Sequence, residues 1–142
     1  VISVAAQLEP KPTKLRTEST ATISLRLTKN VLASIYCSYN TALRRSYIEV
    51  LGTKGNLAAT DFTLSNKTIP LTITIGAPGF DGEMRTESIN VPNLYEKEVT
   101  LFSSAVLENK RPPIPGEVGL ENQYVLNTAL HGGGLIKPRR SS

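Results

Sequence analysis

The sequence predicts an α+β fold: an open, mostly antiparallel β-sheet with helices packed on one face. Three observations carry that expectation. Apolar and polar residues alternate with period two through the first two-thirds of the chain. The period turns helical after Asn93. Strands also come first and helices last, where a parallel α/β fold would interleave them.

The elements follow in order. Ile2, Val4 and Ala6 alternate with Ser3, Ala5 and Gln7, a strand that ends at Pro10 and Pro12. In Thr20–Thr28, Ala21, Ile23, Leu25 and Leu27 share one face, and Thr20, Thr22, Ser24, Arg26 and Thr28 share the other. Lys29-Asn30 reads as a two-residue turn of type I′. Val31, Ala33, Ile35 and Cys37 then return to the core face, with Leu32, Ser34, Tyr36 and Ser38 opposite. Ser46–Leu51, Asn56–Ala59, Leu71–Ile75 and Arg85–Val91 read as further strands. The stretch Gly76–Gly82 is too rich in glycine and proline for a regular element.

Asn93 then caps a helix, with Glu96 three residues later in a capping-box-like arrangement. Tyr95, Val99, Phe102 and Val106 recur at helical spacing, joined by Leu94, Leu101 and Ala105. Pro112-Pro113 stops this helix. A second helix, from about Glu117 to His131, carries Leu120, Tyr124, Ala129 and Leu130 and ends at Gly132-Gly133-Gly134.

Composition narrows the function classes. The chain has 142 residues, enough for one domain with a real core, and its hydrophobic fraction is 39%. The net charge of +4 is carried by Lys137, Arg139 and Arg140 in the last six residues; without them the chain is close to neutral. No basic face interleaved with aromatics is visible, which argues against nucleic acid as a partner. No apolar run is long enough to span a membrane, and a signal peptide is not visible. A chain opening straight into an apolar alternation at Val1 reads as one cut from something longer.

The single cysteine, Cys37, excludes an internal disulfide. Its alternation makes it a buried core thiol, which fits a reducing compartment and a cytoplasmic location. With one cysteine and one histidine, no structural zinc site can be assembled, so metal ligands are not expected. His131 reads as a helix-terminal residue favourable with the dipole.

Several consecutive segments resemble the C-terminal domain of the glucose-fructose oxidoreductase, inositol dehydrogenase and rhizopine-catabolism family. Tyr47-Ile48-Glu49-Val50-Leu51-Gly52-Thr53-Lys54-Gly55-Asn56-Leu57 is similar to the strand, Gly-x-x-Gly turn and returning strand of that family, with Gly52 and Gly55 expected at positive φ. Tyr95–Phe102 leading to Pro112-Pro113-Ile114-Pro115 resembles its helix and Pro-containing linker. Gly116–Leu130, with Glu117, Glu121 and Gln123, resembles a helix near its C-terminus, and Val1–Pro12 its first sheet strand. The likeness covers residues 1 to 136, a single substrate and oligomerisation domain, with 137–142 a basic, flexible tail.

The resemblance implies a parent enzyme using NAD or NADP, with an N-terminal dinucleotide-binding domain as partner and a sugar, polyol or related hydroxy or carbonyl compound as substrate. This chain lacks the family's Gly-x-Gly-x-x-Gly turn, its Glu-Lys-Pro segment and its acid/base histidine. No catalytic or cofactor-binding residue is therefore assigned, and the chain alone is not expected to be catalytic.

In the family, the connection after Ser38 approaches the nicotinamide and substrate, which makes Tyr39, Asn40, Arg44 and Arg45 candidate substrate contacts. An arginine there can hold a carboxylate, phosphate or sugar hydroxyl. The sheet face away from the helices, with Thr22, Ser24, Arg26, Leu32, Ser34 and Tyr36, is the candidate subunit interface. The resemblance implies a homo-oligomer through it. A non-catalytic regulator with this architecture, or a dimerisation module, is the alternative.

Overall fold

The computed structural model describes residues 1–42, 45–76 and 82–136. The class is α+β, with antiparallel open sheets and two helices. The strands are divided between two four-stranded sheets, and the chain forms two units, residues 1–42 with 114–142 and residues 43–113.

The first unit holds β1 (Ser3–Glu9), β2 (Thr20–Arg26), β3 (Leu32–Ser38) and a two-residue strand later in the chain (Gly134–Leu135). Their order in the sheet is β3, β2, β1 and then that short strand. Ile23 lies opposite Ile35 and Leu25 opposite Ala33, so the apolar residues of β2 and β3 share a face as the alternation requires. The connection that achieves this is a three-residue turn, Thr28–Asn30, where the sequence suggested two residues. Lys29 and Asn30 both take positive φ, 58° and 59°, as expected, and Leu27 N–H donates to Val31 C=O at 2.8 Å. A two-residue turn would shift the register by one and turn Ile35 to the wrong face.

A helix of this unit, spanning Gly116–Leu130, packs on β1. Val4, Ala21, Ile23 and Ala129 form its core, with Ala6, Leu8, Leu25, Val125 and Ile136 against them. The helical stripe that meets the sheet is therefore Val125 and Ala129, whereas Leu120, Tyr124 and Leu130 remain exposed. Beyond the helix the chain must join the free edge of β1, where Gly134 pairs with Val4. Gly133, at φ 84°, does so where a Cβ would stand 2.5 Å from the Val4 carbonyl oxygen.

Cys37 corrects the expectation of a core thiol: it is exposed. It does share a face with Ala21, its cross-strand partner. However, β3 is the edge strand of its sheet and the helix packs on β1, so among the described residues of this unit the helix covers the β1 side of the face. Cys37 in the native chain should react with a thiol reagent nearly as fast as in denaturant. Protection by about tenfold or more would show a covered thiol.

The second unit holds β4 (Tyr47–Gly52), β5 (Gly55–Thr60), β6 (Lys67–Ile75) and β7 (Glu83–Val91), paired in that order, followed by helix α1 (Leu94–Leu107). Ala59, Ile69 and Val91 form its core with Leu71 packed against them. Pro70 is tolerated inside β6 because pairing with β5 ends at Leu71.

The cap of α1 is the one its sequence announces. Asn93 Oδ1 accepts from Glu96 N–H at 3.2 Å, satisfying one of the orphan donors of the first turn and contributing about 1 kcal/mol. The helix of the first unit is α2 from here on, and the short strand Gly134–Leu135 is β8.

Candidate functional site

The first unit builds a polar cluster at one end of its sheet. Glu9, Thr20 and Ser38 stand side by side where β1, β2 and β3 end or begin, so whatever follows Ser38 is brought beside the start of β2. Thr20 and Ser38 join their hydroxyls at 2.7 Å across the two strands. Ser19 closes the β1–β2 connection: its N–H donates to Glu9 C=O at 3.0 Å and its hydroxyl to the same oxygen at 3.3 Å.

Two of the candidate substrate contacts hang on this frame. Tyr39 N–H donates to Ser19 C=O at 2.8 Å. Asn40 is held twice, its N–H donating to Ser38 Oγ at 3.0 Å and its Nδ2 to Ser19 Oγ at 2.8 Å. With its amide nitrogen engaged, Asn40 keeps Oδ1 as an open acceptor for a hydroxyl among the described residues. The neighbouring Tyr39 side chain is 95% exposed and presents a ring face. An acceptor beside an aromatic ring suits a polyhydroxylated ligand better than an anion. Ser19 and Ser38 escaped the sequence reading because short-range pattern does not reveal which strand ends meet.

The other two candidates fall in the range of the second unit. Arg44 lies outside the described residues. Arg45 is exposed and belongs to the second unit, next to the anchored Ser46, whose C=O accepts from Asp61 N–H at 2.6 Å and whose Oγ accepts from Thr63 Oγ1 at 3.0 Å. On the strand that follows, the Tyr47 phenol is held above its ordinary pKa. Desolvation is the first cause, then the hydrogen bond and the negative charge of Glu49.

The second unit has a depression of about 390 Å³ at its β4–β5 turn, lined by the Gly52–Leu57 hairpin and by Ile73–Ile75. It is open to solvent, unlike pockets that enclose a small ligand. At this turn only Gly55 takes a positive φ, 149°, which corrects the expectation for Gly52. Gly52 is constrained by space instead, since a Cβ there would lie 3.0 Å from the Gly55 carbonyl oxygen.

His131 ends α2 with Nδ1 2.7 Å from the Asn127 carbonyl oxygen, a helix-terminal contact in which Nδ1 carries the proton. Among the described residues no group of His, Cys, Asp and Glu is placed to hold a metal ion, and no helix is long and apolar enough to cross a membrane.

All six candidate interface residues share the face of the first sheet opposite its core. They form three cross-strand pairs, Thr22 with Tyr36, Ser24 with Ser34 and Arg26 with Leu32. All six are exposed, Leu32 at 72% and Tyr36 at 64%.

No protein-family model and no curated protein matches the chain. Solved structures do. The aldose-aldose oxidoreductase of Caulobacter crescentus, crystallised with glycerol, is similar over 95% of this chain, with a TM-score of 0.71 and 18% identity. The protein yvaA of Bacillus subtilis and a Klebsiella pneumoniae protein, both named as oxidoreductases, are similar over 96% and 92% of the chain. Their TM-scores are 0.66 and 0.67 and their identities 15% and 16%. The chain spans only 41%, 46% and 40% of these three chains, so the likeness is to less than half of each.

Proposed function

We propose that this chain is the substrate-side and subunit-association domain, residues 1–136, of a cytoplasmic oxidoreductase. NAD or NADP would be carried by a separate N-terminal dinucleotide-binding domain. The substrate would be a sugar, polyol or related hydroxy or carbonyl compound. The observation that carries this reading is the likeness of nearly the whole chain to under half of three oxidoreductase chains, one of them an aldose enzyme bound to glycerol.

The residues fit that division of labour. A nicotinamide cofactor supplies hydride chemistry when bound, and the groups that cradle its pyrophosphate are a glycine-rich turn and a helix N-terminus. The sequence has no Gly-x-Gly-x-x-Gly turn to provide them. What it has is a hydroxyl-and-amide frame presenting Tyr39 and the Asn40 acceptor, which can orient a polyhydroxylated substrate against a hydride donor held elsewhere. The exposed face of β2 and β3 would join identical subunits through Leu32 and Tyr36.

Two titrations of the 142-residue chain test the proposal. NADH and NADPH should give no calorimetric binding at micromolar concentrations. An aldose or glycerol at millimolar concentration should shift the NMR resonances of Tyr39 and Asn40, and Asn40→Ala should remove most of that shift. Micromolar affinity for either dinucleotide would overturn the reading, as would sugar-induced shifts that leave Tyr39 and Asn40 untouched.

A further inference from the structure

The two ends of the Asn40 side-chain amide are chemically opposite. The nitrogen only donates hydrogen bonds and the oxygen only accepts them, so the direction of the amide decides what the site can hold. Ser19 sets that direction. The Ser19 hydroxyl has one proton, which it donates to the Glu9 carbonyl oxygen at 3.3 Å. Its oxygen is left as an acceptor, and Asn40 Nδ2 fills it at 2.8 Å. Turned by half a revolution, the amide would bring its oxygen to Ser19, and the hydroxyl proton would have to leave Glu9 to meet it. That arrangement makes one hydrogen bond fewer, so the observed direction is favoured about fivefold.

The main chain holds both residues in place for this contact. Asn40 N–H donates to Ser38 Oγ at 3.0 Å, and Ser38 Oγ joins Thr20 Oγ1 at 2.7 Å across β2 and β3. Tyr39 N–H donates to Ser19 C=O at 2.8 Å, and Ser19 N–H to Glu9 C=O at 3.0 Å. With the backbone tied on both sides, the turn of the amide is what the Ser19 hydroxyl adds.

We propose that Ser19 is a positioning residue that turns the Asn40 oxygen outward, so that the site selects a ligand position bearing a free hydroxyl. The same position oxidised to a carbonyl, ionised as a carboxylate or closed as an ether would bring lone pairs against a lone pair. Between an alcohol and its carbonyl counterpart, the Asn40 contact therefore favours the alcohol. This selectivity rests on the reading of Tyr39 and Asn40 as a sugar or polyol site, and it narrows that reading to hydroxyl donors.

Methyl glucoside and the same glucoside with every hydroxyl methylated test it, by NMR titration of the 142-residue chain read at the Asn40 side-chain amide. The free glucoside should bind about fivefold more tightly than its ether. Ser19→Ala should reduce that preference to about twofold or less, because the amide can then turn its nitrogen outward. The variant keeps both main-chain hydrogen bonds of Ser19, so its fold should be unchanged. Ser19→Thr retains a hydroxyl and should restore the preference. If Ser19→Ala weakens both glucosides alike and leaves their ratio unchanged, Ser19 is merely structural and the proposal is overturned. Equal binding of the two glucosides by the parent chain would overturn it too, while the sugar site would stand. Binding of neither would remove the sugar site and the proposal together. Should Ser19→Ala lose its fold, the ratio in the parent chain and in Ser19→Thr decides.

Discussion

Gly55→Ala should cost about 3 kcal/mol or more of stability, the largest effect expected from a single methyl group in this chain. Gly55 sits at φ 149°, which side-chain-bearing residues rarely adopt, and it pairs with Ile75 where β5 begins. A Cβ there would collide with the backbone carbonyl oxygen of Thr74, with the Ile75 Cα also in close reach. Both obstacles are main-chain atoms of a paired strand, so relief requires the β5–β6 ladder to open. Urea unfolding should show the loss, with Lys54→Ala as the neighbouring control expected within about 0.5 kcal/mol of the parent. Equal stability of Gly55→Ala and the parent would mean the turn adopts another conformation.

Replacing Leu32 and Tyr36 together with lysine should halve the sedimenting mass of the chain at high micromolar concentration. The two residues stand on one face of β3, opposite Arg26 and Thr22 of β2, among hydroxyl neighbours that leave them the dominant apolar groups there. In an isologous contact each is buried once from either subunit. Burial of on the order of 100 Å² for each pair gives a gross gain of about 2–3 kcal/mol per pair, much of which association entropy offsets. Two buried lysines would reverse that gain and add like-charge repulsion across the two-fold axis. A monomeric parent chain, or a Leu32 and Tyr36 variant of unchanged mass, would rule out association through the sheet.

The sequence by itself determined what depends on near neighbours along the chain. The alternation in Thr20–Arg26 fixed which side chains share a face. Asn93 and Glu96 fixed the start of α1, and the three glycines after His131 fixed the end of α2. These are local rules, since a strand's period and a helix cap act over two to four residues. The likeness to oxidoreductase folds was also legible, because the order of strands, turn and helices is itself a linear property.

Tertiary structure alone decided what covers each face. Cys37 and Ile35 follow the core pattern, yet they are exposed because β3 is an edge strand and α2 packs on β1. Tyr95, Val99, Phe102 and Val106 form the cleaner helical stripe, yet Ala105 is the residue buried. Tyr39 and Asn40 were visible as candidates, but the Ser19 and Ser38 groups that hold them were not. Periodicity states that a face is apolar. Which partner takes up that face depends on contacts between residues far apart in the chain, and no local pattern encodes those.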